Sequence, residues 1–252
     1  IHPASEDGEF SGKPVLWKKE LLDQKVRDYG PYVAACQLMQ NPREDDAQSF
    51  REEWVQYYDL KTVQNLNIYI VVDPANSKKR NSDYTFMGVI GLGADQNYYM
   101  VDMIRDRLNL AERCAALFRL HQKYRPLGVG YERYGLQVDI EHIKYEMDRA
   151  NYRFPITEVA GLQPKDDRIK RLVPLFSNGR FYLRYNTPYG DVRGEERDMT
   201  AEFLNDEYMA FPVSTYKDML DGTSRILDLN TQFPGGWLDV ELDYTVFDEA
   251  MI

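Results

Sequence analysis

The chain of 252 residues is poor in the residue types that build thiol- and imidazole-based sites. Its two cysteines, Cys36 and Cys114, lie far apart, and its three histidines, His2, His121 and His142, are scattered. This spacing excludes a paired zinc signature and a disulfide framework. We interpret both cysteines as reduced, buried thiols of an intracellular protein, and His121 as an ordinary residue of a helix face.

Long apolar runs are also missing, since no stretch approaches the ~18 residues of a membrane-spanning helix. The first residues are polar and mixed, so no signal peptide is visible. The glycines of 8–13 have the wrong spacing for a phosphate-binding loop, and 88–93 joins two predicted antiparallel strands. Neither stretch is a nucleotide site. The chain begins with Ile rather than Met, and we expect it to be a piece of something longer.

Positive charge is in the minority, with 31 Lys and Arg against 41 Asp and Glu and a net charge of −10. Such a balance opposes general attraction to nucleic acid, because phosphate contacts need cations. The cations are clustered, however, in three groups: Lys78, Lys79 and Arg80; Lys165, Arg168, Lys170 and Arg171; Arg180 and Arg184. Each group is either a phosphate-contacting patch or a solvated face.

The hydrophobic pattern divides the chain into three parts, a lead-in over 1–60, a domain over 61–232 and an acidic tail over 233–252. Within the lead-in, the pattern predicts a helix over 17–28. The spacing of Phe50, Trp54 and Tyr57 by four and three suits one helical face, which we expect to pack onto the next domain.

From residue 65 the pattern predicts strands and then alternation of strand and helix. Three strands, at 66–72, 84–91 and 98–104, form an antiparallel meander, and further strands follow at 127–131, 154–159 and 180–184. Apolar stripes predict helices near 110–121, 136–147, 169–176, 198–209 and 217–229, with a stop at Asn178-Gly179. The fold class is therefore α/β, a mixed sheet with helices on its faces.

Two acids lie at the ends of predicted apolar strands. Asp73 ends the first strand, directly before a proline, and Glu132 ends the fourth. If these strands are parallel neighbours, both carboxylates emerge at one end of the sheet. Two buried carboxylates repel each other, and a divalent cation relieves the conflict. The alternative is that each acid caps a nearby turn.

Two further acids, Asp218 and Asp221, are three residues apart and would share one face of a helix. Asp218 falls in the first turn, where the helix dipole favours an anion, so an ordinary N-cap is its alternative interpretation.

Five motifs, in this order, resemble those of the nuclease domain of viral large terminase subunits. They are Asp73-Pro74-Ala75 with Ser82-Asp83-Tyr84-Thr85, Tyr131-Glu132-Arg133-Tyr134-Gly135, Pro164-Lys165-Asp166-Asp167-Arg168-Ile169, Asn178-Gly179-Arg180 and Lys217-Asp218-Met219-Leu220-Asp221. The resemblance extends over roughly residues 30 to 230, because the stretch from Asn41-Pro42 to Trp54 is similar to the segment before that nuclease. The P-loop ATPase half of the family is absent.

The last motif departs from the family pattern, usually written His-Asp-Asp-x-x-Asp-Ala. Tyr216 and Lys217 stand where the family has His-Asp, and Gly222 stands where it has Ala. One of two adjacent acids is therefore missing, which puts a second metal position in question.

The resemblance implies a ribonuclease H-like fold and an endonuclease that cuts concatemeric viral DNA during packaging, using two Mg²⁺ or Mn²⁺ ions. These ions prefer hard oxygen ligands. Asp73 would be the bridging ligand, with Glu132 and Asp218 as flanking ligands. Asp83 and Asp221 would be supporting or alternative ligands.

Lys165 would orient water or phosphate, and Arg168 would support it; a solvated first helical turn is the alternative. The residues expected to contact DNA are Lys78, Lys79, Arg80, Arg168, Lys170, Arg171 and Arg180. The implied partners are double-stranded DNA, an ATPase domain, the procapsid portal and a small terminase subunit, in the host cytoplasm and without a membrane. Two other hypotheses stay open: a Holliday-junction resolvase, and a packaging module that does not catalyse.

Overall fold

The computed structural model describes residues 3–8, 12–29, 35–40, 50–59, 61, 63–75, 84–133, 137–159 and 163–235. Its strands are β1 Gln56–Tyr58, β2 Asn67–Asp73, β3 Thr85–Leu92, β4 Tyr98–Asp106, β5 Gly128–Glu132, β6 Ile156–Val159, β7 Phe181–Arg184, β8 Pro188–Gly190 and β9 Glu196–Asp198. Its α-helices are α1 Lys19–Tyr29, α2 Leu110–Tyr124, α3 Gln137–Arg149, α4 Lys165–Lys170, α5 Val173–Ser177, α6 Met199–Glu202 and α7 Asp218–Ser224.

Seven strands form one mixed sheet in the order β1-β7-β4-β3-β2-β5-β6. β2, β3 and β4 are antiparallel neighbours, whereas β5 runs parallel to β2, β6 to β5, β7 to β4 and β1 to β7. The prediction of a ribonuclease H-like sheet, three antiparallel strands followed by parallel strands, is confirmed. β8 and β9 form a separate hairpin that the sequence pattern did not predict.

Helices cover both faces of the sheet, as predicted. α2 and α3 pack their apolar side chains against Ile70 and Val72 of β2, while α4 to α7 pack against Val71 from the other side. Because side chains alternate along a strand, Asp73 lies on the same face as Val71. By the same alternation, Glu132 and Tyr131 point to different faces of the sheet, and the Tyr131 ring is on the face covered by α2 and α3. Both acids therefore face α7.

The helical interpretation of Phe50, Trp54 and Tyr57 is wrong. Only Glu52–Trp54 forms a short 3₁₀ turn, and Gln56–Tyr58 is a strand that pairs with β7 at the edge of the sheet. Phe50 is buried in the core, whereas Tyr57 is exposed, so they do not share a face. A strand inside the expected lead-in thus belongs to the main sheet.

The predicted helix near 169–176 is two short helices, α4 and α5, separated by a turn. Pro174 explains the break, because it has no amide proton and its ring clashes with the carbonyl four residues earlier. The predicted stop at Asn178-Gly179 is confirmed, with Gly179 at φ +63°. The helices near 198–209 and 217–229 are also present, as α6 continued by the π-helical Phe203–Tyr208, and α7 continued by the 3₁₀ turn Arg225–Asp228. None of the described helices is long and apolar enough to cross a membrane.

Candidate metal centre

Two carboxylates lie side by side at one end of the sheet. In the parallel pairing of β2 with β5, Val72 lies opposite Tyr131. The next residues, Asp73 and Glu132, are the last of their strands and therefore lie at the same end of the sheet. Glu132 is buried, and Asp73 is half-buried. The expectation that these strands are parallel neighbours is confirmed.

α7 brings a third carboxylate, from Asp221. One ligand oxygen from each of Asp73, Glu132 and Asp221 lies within 4.8 Å of the others. The helix comes this close because Gly222 has no side chain. A Cβ there would lie 2.3 Å from Cδ1 of Phe86 and 3.2 Å from Cβ of Asp73.

Asp218 lies one turn earlier on α7 and has different partners. Its Oδ1 accepts a hydrogen bond from Nζ of Lys165 at 3.0 Å, and its Oδ2 accepts one from the backbone amide of Tyr84 at 3.2 Å. It is not a member of the three-acid group. Asp83, the remaining predicted ligand, lies outside the described residues.

Three cations are embedded among these acids. Arg168 donates to both oxygens of Asp221, from Nε at 2.9 Å and from Nη2 at 2.5 Å, and Arg225 donates to Oε1 of Glu132. Lys165 lies 3.7 Å from Oδ2 of Asp221 as well as beside Asp218. These cations compensate the negative charge of Glu132 and Asp221 within the protein. Arg225 belongs to no motif, and the sequence offered no signal for it.

Burial and charge shift the pKa values of two groups at the centre. Burial, followed by the charge of Glu132, raises the pKa of the Asp73 carboxyl well above its ordinary value. Burial alone would lower the pKa of Lys165, but the charges of Asp218, Asp73 and Asp221 outweigh it and raise that pKa. Lys165 therefore stays protonated at neutral pH.

The donor set fits a divalent cation. Oε2 of Glu132 is buried and has no hydrogen-bond partner among the described residues. Such an orphaned buried oxygen is uncommon and calls for a ligand. With Asp73 and Asp221 it forms a group of hard oxygen donors of the kind that Mg²⁺ and Mn²⁺ prefer.

The structure does not bring all the predicted DNA-contacting residues to this centre. Arg168 is buried in its ion pair, Arg171 donates to Asp228 at 2.6 Å, and Lys170 lies 3.9 Å from Asp167. The fourth, Arg180, donates to the backbone oxygen of Gln96 at 2.7 Å, beside the start of β4 and so at the opposite end of the sheet. The remaining three, Lys78, Lys79 and Arg80, lie outside the described residues.

The predicted roles of the thiol and the imidazole can be compared with their surroundings. Cys114 is buried and free, and burial raises the pKa of its thiol to about 11. His121 stacks on Phe154 at 3.9 Å and is hydrogen-bonded to the hydroxyl of Tyr152 at 2.7 Å. Both are packing residues of the α2 layer. The side chain of Cys36 lies outside the described residues.

The mixed sheet thus carries clustered carboxylates at the ends of two adjacent strands. No family model and no curated protein matches the chain. Among solved structures it is similar to the large terminase nuclease of thermophilic phage G20c with bound magnesium, at 15% identity over 71% of this chain and 92% of that one, with a TM-score of 0.42.

Two further solved structures are similar to the chain. The terminase nuclease domain of human cytomegalovirus matches at 11% identity over 73% of this chain and 96% of that one, with a TM-score of 0.49. The large terminase nuclease domain of Thermus phage P74-26 matches at 15% identity over 68% of this chain and 87% of that one, with a TM-score of 0.38.

Proposed function

We propose that the chain is a divalent-metal-dependent endodeoxyribonuclease that cuts concatemeric viral DNA during genome packaging. The observation that carries the chemistry is the convergence of Asp73, Glu132 and Asp221, with one buried oxygen of Glu132 lacking a hydrogen-bond partner in the part of the chain that the structure describes. The resemblance of five sequence motifs to terminase nucleases supports the role in packaging.

The residues divide the work of phosphodiester hydrolysis. Asp73, Glu132 and Asp221 would hold Mg²⁺ or Mn²⁺, which when bound stabilises negative charge on phosphate oxygens and lowers the pKa of water. Lys165 keeps its proton and can donate it in a hydrogen bond to a phosphate oxygen or to the attacking water. Arg168 fixes the orientation of Asp221 through two parallel hydrogen bonds.

A second ion needs a further ligand, and Asp218 is the candidate that the sequence resemblance offers. Its Oδ1 is 3.0 Å from Nζ of Lys165, so ligation by this oxygen requires Lys165 to exchange the carboxylate for another anion. The phosphate of the substrate would serve. On this proposal, Lys165 changes partner when DNA binds.

The wider setting is proposed on the sequence resemblance. The basic groups would contact double-stranded DNA. Lys78, Lys79 and Arg80 follow shortly after Asp73, the last residue of β2. The native protein would include an ATPase domain and would assemble with a portal and a small terminase subunit in the host cytoplasm. Residues 1–60 would form its lead-in and contribute β1 to the nuclease sheet, 61–232 would form the rest of the nuclease, and 233–252 an acidic tail.

The test is nicking of supercoiled plasmid in Mg²⁺, Mn²⁺ or EDTA, by the parent and two matched variants. Asp73→Asn removes a charge at the centre, whereas Asp148→Asn removes one at an exposed pair with Arg153. We expect metal-dependent nicking by the parent and Asp148→Asn, and none by Asp73→Asn. Near-normal nicking by Asp73→Asn, or nicking by the parent in EDTA, would contradict the proposal.

Substrate choice distinguishes this proposal from a junction resolvase. The parent should cut linear duplex and plasmid DNA at least as well as a four-way junction of the same sequence. Exclusive cutting of the junction would favour the resolvase. A crystal soaked in Mn²⁺ would count the ions and identify their ligands.

A further inference from the structure

A buried ion pair lies beneath the metal centre, on the opposite face of the sheet. Arg113 in the first turn of α2 binds Asp139 of α3 in fork geometry, with Nε to Oδ2 at 3.0 Å and Nη2 to Oδ1 and Oδ2 at 2.9 and 2.7 Å. Both side chains are buried, at 7% and 2% exposure. A pair this deep is uncommon unless every hydrogen-bonding group is satisfied.

The remaining donor of Arg113 reaches the backbone that follows Asp73. Nη1 donates to the carbonyl of Ala75 at 3.2 Å and to that of Leu108 at 3.0 Å, so every nitrogen of the guanidinium is engaged. The amide of Ala75 in turn donates to Oγ1 of Thr85 at 3.1 Å. Pro74, with its fixed φ, is the only residue between this doubly held Ala75 and Asp73, so the restraint passes to Asp73.

Asp139, the acceptor of the same ion pair, is hydrogen-bonded to a residue of β5. The hydroxyl of Tyr131 donates to Oδ2 of Asp139 at 2.6 Å, and Tyr131 directly precedes Glu132. The pairing of β2 with β5 extends only to Val72 and Tyr131, so both acids lie one residue beyond it.

We propose that Arg113, Asp139 and Tyr131 are positioning residues that fix the separation of the Asp73 and Glu132 carboxylates and thereby set the affinity of the centre for its ion. The inference rests on the proposed function. Partners that orient ligands from behind commonly change metal affinity by about 10-fold or more when they are removed. None of the three side chains would touch the ion, because all three lie on the α2 and α3 side of the sheet.

The test compares two single-oxygen deletions in the same layer. Tyr131→Phe removes the hydrogen bond to Asp139 of α3, and Tyr152→Phe removes the hydrogen bond to His121 of the neighbouring helix α2. We expect Tyr131→Phe to weaken Mn²⁺ binding, measured by titration calorimetry, by about 10-fold. The control Tyr152→Phe should lower thermal stability by a similar amount without changing Mn²⁺ affinity.

Arg113→Lys gives a second measurement, because it keeps the charge but loses the fork. It should lower kcat for plasmid nicking while leaving KM for DNA near that of the parent. If Arg113→Lys does not fold, the Mn²⁺ affinity of Tyr131→Phe alone tests the inference. Equal Mn²⁺ affinity in the parent, Tyr131→Phe and Tyr152→Phe would overturn the inference.

A metal-free measurement separates this inference from the proposed function. In EDTA, hydrogen exchange of the Ala75 amide should be faster in Tyr131→Phe than in the parent, and unchanged in Tyr152→Phe. A parent that binds no Mn²⁺ would overturn the proposed function, while this exchange difference would still support the restraint on the strand ends. Unaltered exchange at Ala75 in Tyr131→Phe would count against the restraint itself.

Discussion

Two acids one turn apart on α7, Asp218 and Asp221, differ in what surrounds them although both are buried. Asp218 is bound by Lys165 and by a backbone amide, so both its oxygens have partners supplied by the protein. Both oxygens of Asp221 are also bound, by Arg168, but Asp221 in addition has a ligand oxygen within 4.8 Å of those of Asp73 and Glu132. Similar spacing in the sequence therefore produces two different chemical environments.

Substituting these two acids in turn should separate their roles. Asp221→Asn removes a charge from the three-acid group, and we expect Mn²⁺ affinity, measured by calorimetry, to fall on the order of 100-fold. Asp218→Asn should reduce the first-ion affinity much less, because its main loss is the ion pair with Lys165. Should the two variants bind Mn²⁺ equally weakly, the assignment of Asp221 to the centre would be wrong.

The acids of the centre and two of its cations, Lys165 and Arg168, could be chosen from the sequence, but the third cation, Arg225, could not. A carboxylate at the end of an apolar strand is visible as a pattern, and Asp73 and Glu132 were found in this way. Arg225 meets Glu132 across 93 positions of the chain, and no local rule reports such a pairing. The repulsion predicted for the metal-free acids did not take this cation into account.

At the scale of elements, the approach of α7 to the sheet depends on Gly222. Gly222→Ala would place a methyl group 2.3 Å from the ring of Phe86, so the helix must shift, at a cost of about 1–3 kcal/mol in the free energy of unfolding. The shift would carry Asp221 away from Asp73 and weaken Mn²⁺ binding.

Gly190→Ala is the matched control, since a Cβ at that position meets nothing within 4 Å. Denaturant unfolding and calorimetry of both variants would test the prediction. Unchanged stability in Gly222→Ala would show that the close contact relaxes without moving the helix.

A buried acid, Glu207, binds the backbone of α7. Oε2 of Glu207 accepts a hydrogen bond from the amide of Leu220 at 3.0 Å. Burial raises the pKa of Glu207 to about 7, although the Leu220 amide and Arg105 lower it in part. Because the folded pKa exceeds the ordinary 4.5, the stability due to the protonated form is full below about pH 4.5 and is lost as the pH rises through 7.

Glu207→Gln keeps the acceptor and removes the ionisation. We therefore expect the melting temperature of this variant, relative to the parent, to increase from pH 5 to pH 8 in EDTA. Thermal scans at several pH values measure this difference. A difference that does not change with pH would mean that Glu207 is ionised throughout the range.

The type and order of most elements were predictable from the sequence. The segment from Phe50 to Tyr57 and the β8–β9 hairpin were not. Short, β-rich apolar runs bounded by turn residues located the meander and the later strands. Spacing misled at Phe50 to Tyr57, where four- and three-residue intervals arise from a turn followed by a strand. The β8–β9 hairpin was missed because its short strands are mostly exposed and carry no apolar alternation.

At the scale of the whole molecule, charge should limit DNA binding. The net charge of −10 opposes approach, and several of the expected contact residues, including Arg168 and Arg171, are already in ion pairs. We predict weak binding to a 30-base-pair duplex by fluorescence anisotropy in Ca²⁺. Between 50 and 200 mM salt the affinity should fall by on the order of 10-fold or more. Tight binding that is insensitive to salt would contradict this prediction.

The anchoring of β1 has a mechanical consequence. Phe50 stacks on Tyr208 at 4.6 Å, Tyr208 donates to the carbonyl of Arg51 at 3.1 Å, and Tyr58 donates to the carbonyl of Met100 at 3.0 Å. A pull along β1 would load its hydrogen bonds to β7 together, in shear, rather than opening them one after another. Tension applied through the preceding segment would therefore pass to β7 and, through the pairing of β7 with β4, into the central strands of the sheet.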